Sequence, residues 1–469
     1  MPAEMTVQES HGMEPASTMS EVLEDLEDRY RACSTIHGSA ENLGSGNAGV
    51  SKLKAEEGFE PEEISGEPSP ITYPDGGTRA WLVALGVGCG IMATFGYVNA
   101  WGVFQAYYEE TMLPDTPPST IAWIGSVQYA LVFIPGLVFG RLFDMGYFKL
   151  PLLGASSLLV TATFLVAECT QFWQLILCQG IAVGLACGAI FGPTLGILPH
   201  WFHKKLGVAY GLTATGSSLG GTIFPIAVRN LIDEVGFKWT MRIVGFILVL
   251  LLGICNLTTE RRLPPKPNQG PFINPRAFKN PAYSFYTAAS FASFLGLYTV
   301  LTYIDVSASD SGIPTSFSFY LLPIANVGSL FGRIVGGFMA DRWGPLNVIT
   351  PATCVAGIMT YAWPFSGSIA GYVVIAILYG MSSGIYASLL APPIVSMGER
   401  WDVGTRIGMS FTVLALGALA GPPISGAIYT ATGSYKAVGY YAGSAVEVAV
   451  VLLIISRYFV LGHKLVGKC

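Results

Sequence analysis

From Trp81 onward the chain alternates between long runs almost free of charge and short polar breaks. Twelve of these runs are long enough to cross a hydrocarbon layer of about 30 Å, at about 1.5 Å per helical residue. They lie near 80–105, 120–141, 148–168, 172–198, 206–228, 239–257, 284–306, 317–340, 347–366, 369–397, 406–430 and 437–460. Glycine and proline interrupt many of them, which is tolerated where neighbouring helices re-satisfy the freed backbone groups. The pattern predicts an all-α membrane protein of twelve transmembrane helices. Residues 1–74 differ: they run through Glu, Ser and Gly ("SGNAGVSKLKAEEGFEPEEISGEPSP"), offer no apolar face and are expected to be disordered. Within them "SEVLEDLEDRYRA" allows a short helix. No apolar stretch opens the chain, so a cleavable signal peptide is not expected.

Composition sharpens this reading. The chain is 52% hydrophobic and only 12% charged, against about 25% charged in an ordinary soluble domain. The net charge of −5 hides an uneven distribution: residues 1–75 hold sixteen of the thirty acids and four of the twenty-five basic residues, so the remainder is basic. Its Lys and Arg gather in alternate loops (Arg141 and Lys149; Lys204 and Lys205; Arg261, Arg262, Lys266, Arg276 and Lys279; Arg342; Arg400 and Arg406; Arg457, Lys464 and Lys468). Only Arg229, Lys238, Arg242 and Lys436 lie toward the other side. Basic loops remain cytoplasmic, so both termini are expected there, in a multi-pass protein of the plasma membrane. That topology puts the glycosylation sequon at Asn256 on the wrong face. The eight cysteines are scattered singly, without metal or redox spacing.

The chain also matches itself. Pro193 and Trp201 align with Pro393 and Trp401 at an offset of 200, and Gly207, Gly216 and Gly220 with Gly408, Gly417 and Gly421 at 201. "GLVFGRLFD" (136–144) resembles "GRIVGGFMAD" (332–341). A duplicated six-span unit follows: an N-terminal bundle at 79–258, a cytoplasmic loop at 259–282, a C-terminal bundle at 283–460 and a cytoplasmic tail at 461–469. Parallel halves of this kind are the build of major facilitator transporters.

The stretch "WFHKKLGVAYGLTATGSSLGG" (201–221) mixes lysines and glycines. It is not a phosphate loop, which needs G-x-x-x-x-G-K-[ST] after a strand; here the lysines come first. "GVGCG" (86–90) sits inside a span with no acidic ribose partner after it. Nucleic-acid binding is not expected, because Lys204 and Lys205 belong to a basic loop. His200 and His203 lack the further ligands a metal needs. Gly207 and Gly211, and Gly216 and Gly220, share helix faces four residues apart and suit close helix packing.

The same stretch resembles the fifth-helix signature of the monocarboxylate porter family: an aromatic pair, the basic Lys204 and Lys205, then a glycine-rich run through Gly211, Gly216 and Gly220. The family's other signature, before the first helix, is similar to "PDGGTRAW", with Asp75, Gly76, Gly77 and Trp81. "WGVFQAYYEE" (101–110) resembles the fungal branch. The resemblance runs from about 74 to 460 and implies the major facilitator fold, two pseudo-symmetric six-helix bundles. It also implies secondary active transport of a monocarboxylate or related small organic metabolite by alternating access. Arg333, an ionisable group inside span eight, suits an interior cavity and bidentate grip of a carboxylate; animal members use an arginine at the matching place. Proton-coupled members pair that arginine with an aspartate one turn earlier and use a lysine in span one. This chain has Ser329 and Asn99 there, which points toward a bulkier or less charged substrate.

Further candidate cavity residues are Tyr97, Gln128, Tyr129, Tyr303, Asn326 and Tyr386, beside Asn99 itself. Arg141, Asp144, Asp341 and Arg342 are expected in gating loops. Two other readings stay open: an efflux pump for a fungal secondary metabolite, and a nutrient receptor on the same fold that no longer transports. No nucleophile–base pair or metal cluster in the spans suggests an enzyme, no cofactor motif is present, and without an ATP-binding motif transport must draw on gradients. The expected partners are a small organic solute, with or without protons, and the lipid bilayer.

Overall fold

Each apolar run becomes a helix. The computed structural model describes residues 73–263, 273–399, 402–462, 464 and 467–469. The acidic tail, with the short helix expected in it, and Lys266, Arg400 and Trp401 lie outside the described residues. Among the described residues eleven helical segments are long and apolar enough to cross a membrane. One of these, Leu206–Thr258, is 53 residues long, about 80 Å at 1.5 Å per residue and more than twice the hydrocarbon thickness. It folds back at Gly236, whose φ of 76° is a conformation that glycine adopts without a Cβ penalty. Twelve spans result. They are α1 Gly77–Met112, α2 Pro118–Asp144, α3 Lys149–Val166, α4 Phe172–Trp201, α5 206–235 and α6 237–258. The second set is α7 Pro281–Asp310, α8 Thr315–Trp343, α9 Pro345–Phe365, α10 Ile369–Ser396, α11 Val403–Thr432 and α12 Tyr435–Val460. The described residues belong to one compact unit, Thr72–Cys469.

Most spans are longer than the hydropathy runs because polar ends continue the helices past the apolar part; α3 and α10 are slightly shorter. Arg141, Asp144, Asp341 and Arg342, expected in loops, are helical, in the last turns of α2 and α8. Several spans are irregular within. α1 carries π-helical turns at Met92–Gly96 and Tyr108–Met112, α4 one at Ile176–Ala182, and α10 breaks before Pro392. Large apolar side chains such as Leu85, Phe246, Phe338 and Val448 remain exposed, as expected of surfaces that lipid covers.

With twelve spans, the two ends of the described chain lie on one side, called here the terminus side. Two of the four basic residues that broke the charge pattern are paired on the opposite side: Lys238 and Arg242 lie 2.8 and 2.9 Å from Glu168. Their hydrogen bonds and charges hold the Glu168 carboxyl below its usual range. Asn256 sits inside α6, donating to Ser156 Oγ at 2.9 Å and to the Leu252 carbonyl.

Candidate functional site

The two halves meet along two glycine seams on the terminus side. In one, α2 lies on α11: a Cβ added at Gly140 would be 2.3 Å from the Gly404 carbonyl oxygen, and one at Gly408 would be 2.2 Å from that of Gly136. In the other, α5 lies on α8. A Cβ at Gly207 would be 2.7 Å from the Gly337 carbonyl oxygen, and one at Gly211 would be 2.5 Å from that of Arg333. No side chain larger than hydrogen fits such an approach.

Each seam ends in a carboxylate that caps a helix of the other half. Asp144 accepts from the N–H of Gly404 at 3.0 Å, from the N–H of Thr405 at 2.7 Å and from the Thr405 hydroxyl at 2.7 Å. Asp341 accepts from the N–H of Gly207 and Val208 at 2.5 and 2.9 Å. A helix N-terminus offers unpaired N–H groups and partial positive charge, and a cap of this kind stabilises by about 1 kcal/mol.

These contacts correct the internal register. Asp144 and Asp341 are 197 residues apart, as are Gly207 and Gly404, Gly211 and Gly408, and Gly140 and Gly337. Gly207 therefore corresponds to Gly404 at this seam, not to Gly408. Farther along, Gly216 and Gly417 both lie against a carbonyl of the first helix of their own half, Gly88 and Phe291, and there the offset of 201 holds. The two registers differ by four residues, about one helical turn.

The two signature stretches, far apart in sequence, come together. Asp75 accepts from the N–H of His203 at 2.5 Å and of Lys204 at 2.7 Å, and the Trp81 ring lies 5.0 Å from that of Phe202. Burial works against the Asp75 charge, but the N–H groups of His203, Lys204 and Lys205 win and hold its carboxyl below the ordinary aspartate range. The two glycines are explained by the backbone. Gly77 has φ 83°, Gly76 lies at φ 156° and ψ −161°, and Asp75 itself has φ 48°; such values suit Gly, and Asp tolerates the last. The lysine side chains take no part in this clasp, which uses their backbone.

The 197-residue register also places Arg333. Its counterpart in the first half is Gly136, so Arg333 is where a seam of small residues gains a charged side chain. Gly211 lets α5 approach the Arg333 backbone, and the guanidinium then runs along α5. Nη1 donates to the Ala214 carbonyl and to Ser217 Oγ. Arg333 is 8% exposed, and its Nε has no protein partner. None of the ion pairs among the described residues includes it. Ser329, one turn earlier, faces Ser218, with the two hydroxyls 3.3 Å apart.

Of the other candidates, Asn326 and Asn99 join this seam. Asn326 Nδ2 donates to the Gly221 carbonyl at 3.1 Å, and a Cβ at Gly221 would meet the Nδ2 of Asn99 at 2.9 Å. The Asn326 position is two turns from Arg333, about 10 Å along the axis. Tyr129 is half-buried on α2, with an unpartnered hydroxyl and its ring 4.7 Å from that of Tyr298 on α7. Tyr386 is buried 6.2 Å from the Phe294 ring. Three candidates stand apart. Tyr97 packs inside the first half between Phe104 and Phe224. The Tyr303 hydroxyl donates to the Pro422 carbonyl at 3.2 Å. Gln128 is buried with its backbone against Gly184.

Sequence reasoning missed a layer of rings between the halves. Phe133 of α2 lies 5.5 Å from Phe95, 6.2 Å from Phe191, 5.4 Å from Phe294 and 5.9 Å from Phe411. Phe191 and Phe411 stack at 5.7 Å with planes 15° apart. The only trace of this in sequence is single phenylalanines near the middle of glycine-rich spans, which also suits ordinary packing.

Comparisons with known proteins agree with this architecture. Residues 83–398 match the family model described as Major Facilitator Superfamily. The "MFS-type transporter 1" of Ophiocordyceps sp. is 36% identical, over 87% of this chain and 93% of its own length. The "Aspyridones efflux protein apdF" of Emericella nidulans is 38% identical, over 80% of this chain and 77% of its own. Among solved structures, the fucose:proton symporter FucP of E. coli superposes with a TM-score of 0.63 at 14% identity, covering 81% of this chain and 99% of that one. Twelve spans in two pseudo-symmetric halves, the family match over most of the chain and these relatives together make this protein a member of the major facilitator superfamily, a multi-pass secondary transporter and not an enzyme.

Proposed function

We propose that the protein exports an organic anion of metabolic origin, with Arg333 as the anchor for its acidic group. Arg333 carries this reading. A guanidinium buried between the halves, with no carboxylate beside it and a free Nε, is suited to a carboxylate or enolate from the solute. Its present bonds to Ala214 and Ser217 are ones an incoming anion displaces. Export is favoured over uptake by relatives such as the Aspyridones efflux protein of Emericella nidulans. The basic terminus side is the cytoplasmic one, in the plasma membrane, and the two aspartate caps close that side.

Kinship with the monocarboxylate porters is part of this proposal. It is supported by the contact of "PDGGTRAW" with the start of α5, and the porter's small substrates fit less well because Ser329 and Asn99 replace charged groups. The seam glycines at 207, 211, 136 and 140 give smooth surfaces along which α5 and α2 part from α8 and α11.

The test is flux of a carboxylate solute in vesicles. Arg333→Ala is expected to lower it at least tenfold. Arg333→Lys should recover little, because lysine keeps the charge and loses the planar fork. Substantial rescue by lysine would reduce Arg333 to a general positive charge, and full flux in Arg333→Ala would overturn the anchor.

A further inference from the structure

The rings at the centre of the molecule bear on the kind of solute. Four ring pairs cross from one half to the other: Phe133–Phe294 at 5.4 Å, Phe133–Phe411 at 5.9 Å, Phe191–Phe411 at 5.7 Å and Tyr129–Tyr298 at 4.7 Å. Three approach edge to face and one is stacked, the arrangements that ring quadrupoles favour. Phe133, Phe294 and Phe411 are almost fully buried, whereas Phe95, Tyr129 and Tyr298 are half-buried. Tyr129 is one turn from Phe133 on α2, and Tyr298 one turn from Phe294 on α7. Following α2 back and α7 forward, both tyrosines lie on the side of the layer away from the termini. The layer therefore has fully buried phenylalanines toward the termini and partly buried tyrosines on the side away from them. The Arg333 guanidinium, with its unpartnered Nε, reaches along α5 to Ser217, beside the Ser218–Ser329 contact between the halves.

We infer that this layer is a recognition element for a planar aromatic solute, whose ring system takes the place of the cross-half ring contacts while its acidic group is held at Arg333. The second clause rests on the function proposed above; the first does not. Alternating access requires the four cross-half pairs to separate. A solute shifts a conformational equilibrium only through unequal affinity for the two states. A flat π-system restores edge-to-face and stacked contacts in the parted layer. A saturated ring of similar size fills the space but has no quadrupole to match. The buried, unpartnered hydroxyl of Tyr129 offers one polar contact when the pairs separate. A layer that served only as a seal needs apolar bulk, which leucine supplies equally well.

The experiment measures equilibrium binding of 2-naphthoate and of its ring-saturated analogue, decahydro-2-naphthoate, to the full-length protein in lipid nanodiscs. The aromatic acid is expected to bind about tenfold more tightly, the scale of two aromatic contacts. Phe133→Leu and Phe411→Leu should bring that ratio below about threefold, chiefly by weakening the aromatic acid. If Phe133→Leu does not fold, as judged by thermal unfolding, Phe411→Leu and Phe294→Leu decide the matter. Arg333→Gln should weaken both acids alike and preserve the ratio. A wild-type ratio near one, failure of both acids to bind at millimolar concentration, or a ratio unchanged by the leucine variants would overturn the aromatic layer. Unchanged affinities in Arg333→Gln, with the ratio still lost in the leucine variants, would overturn the anion anchor and leave the aromatic layer standing.

Discussion

Arg333 puts a charge into an apolar span, and a helix of the other half supplies its surroundings. That its guanidinium lies along α5, bonded to Ala214 and Ser217, depends on a glycine in another helix. Ser329 is the informative neighbour. Its hydroxyl faces Ser218, one turn from the arginine, and an aspartate there would place a titratable counter-charge at the anchor. In Ser329→Asp the ionised carboxylate competes with the solute for Arg333, and protonation removes that competition. Flux in this variant should therefore fall relative to the wild type at neutral pH and recover as pH is lowered; vesicle uptake at pH 5.5 and 7.5 measures it. Equal pH profiles in the two proteins would show that position 329 does not communicate with the anchor. The tyrosines divide for a similar reason. Tyr97 and Tyr303 looked like Tyr129 in sequence, yet only a fold assigns Tyr97 to a ring cluster inside one half and Tyr129 to the boundary between halves.

At the scale of the element, hydropathy located all twelve spans, because each apolar run has to be buried in protein or lipid. It could not place their ends, where polar residues extend the helices, nor the π-helical turns in α1 and α4. Glycines at helical spacing identified packing faces but not partners. The pairing decides what each glycine does: Gly211 faces Arg333 and Gly337 across the halves, while Gly154 on α3 has nothing within 4 Å of an added Cβ. Gly211→Ala must push α5 off α8, at a cost of about 1–3 kcal/mol for overpacking. Gly154→Ala gains helix propensity of up to about 1 kcal/mol. Thermal unfolding of the two variants should move in opposite directions, with flux lost only in Gly211→Ala. Matching behaviour would remove the α5–α8 seam from the account.

For the whole molecule, the duplicated pattern announced two halves, with offsets of 200 and 201 and a separate match of 136–144 to 332–341, but not which offset each seam uses. Seams between halves repeat at 197, whereas within a half the α5 and α11 glycines repeat at 201 and the carbonyls they face, Gly88 and Phe291, at 203. Sequence offers no way to separate them, because either set of glycines aligns well. The distinction matters because the first register carries the elements that must break: the caps at Asp144 and Asp341 and the glycine contacts beneath them. Two caps of about 1 kcal/mol each are small enough for a bound solute to offset. A closed terminus side is therefore one state of a cycle and not a permanent seal. The most direct measurement of that cycle is solute counterflow in proteoliposomes loaded with unlabelled 2-naphthoate and diluted into a trace of labelled compound. A carrier that alternates around Arg333 should accumulate label transiently above its external concentration, and Arg333→Ala should abolish the overshoot. A wild-type protein that binds the compound but shows no overshoot would be a receptor on this fold and would contradict the account.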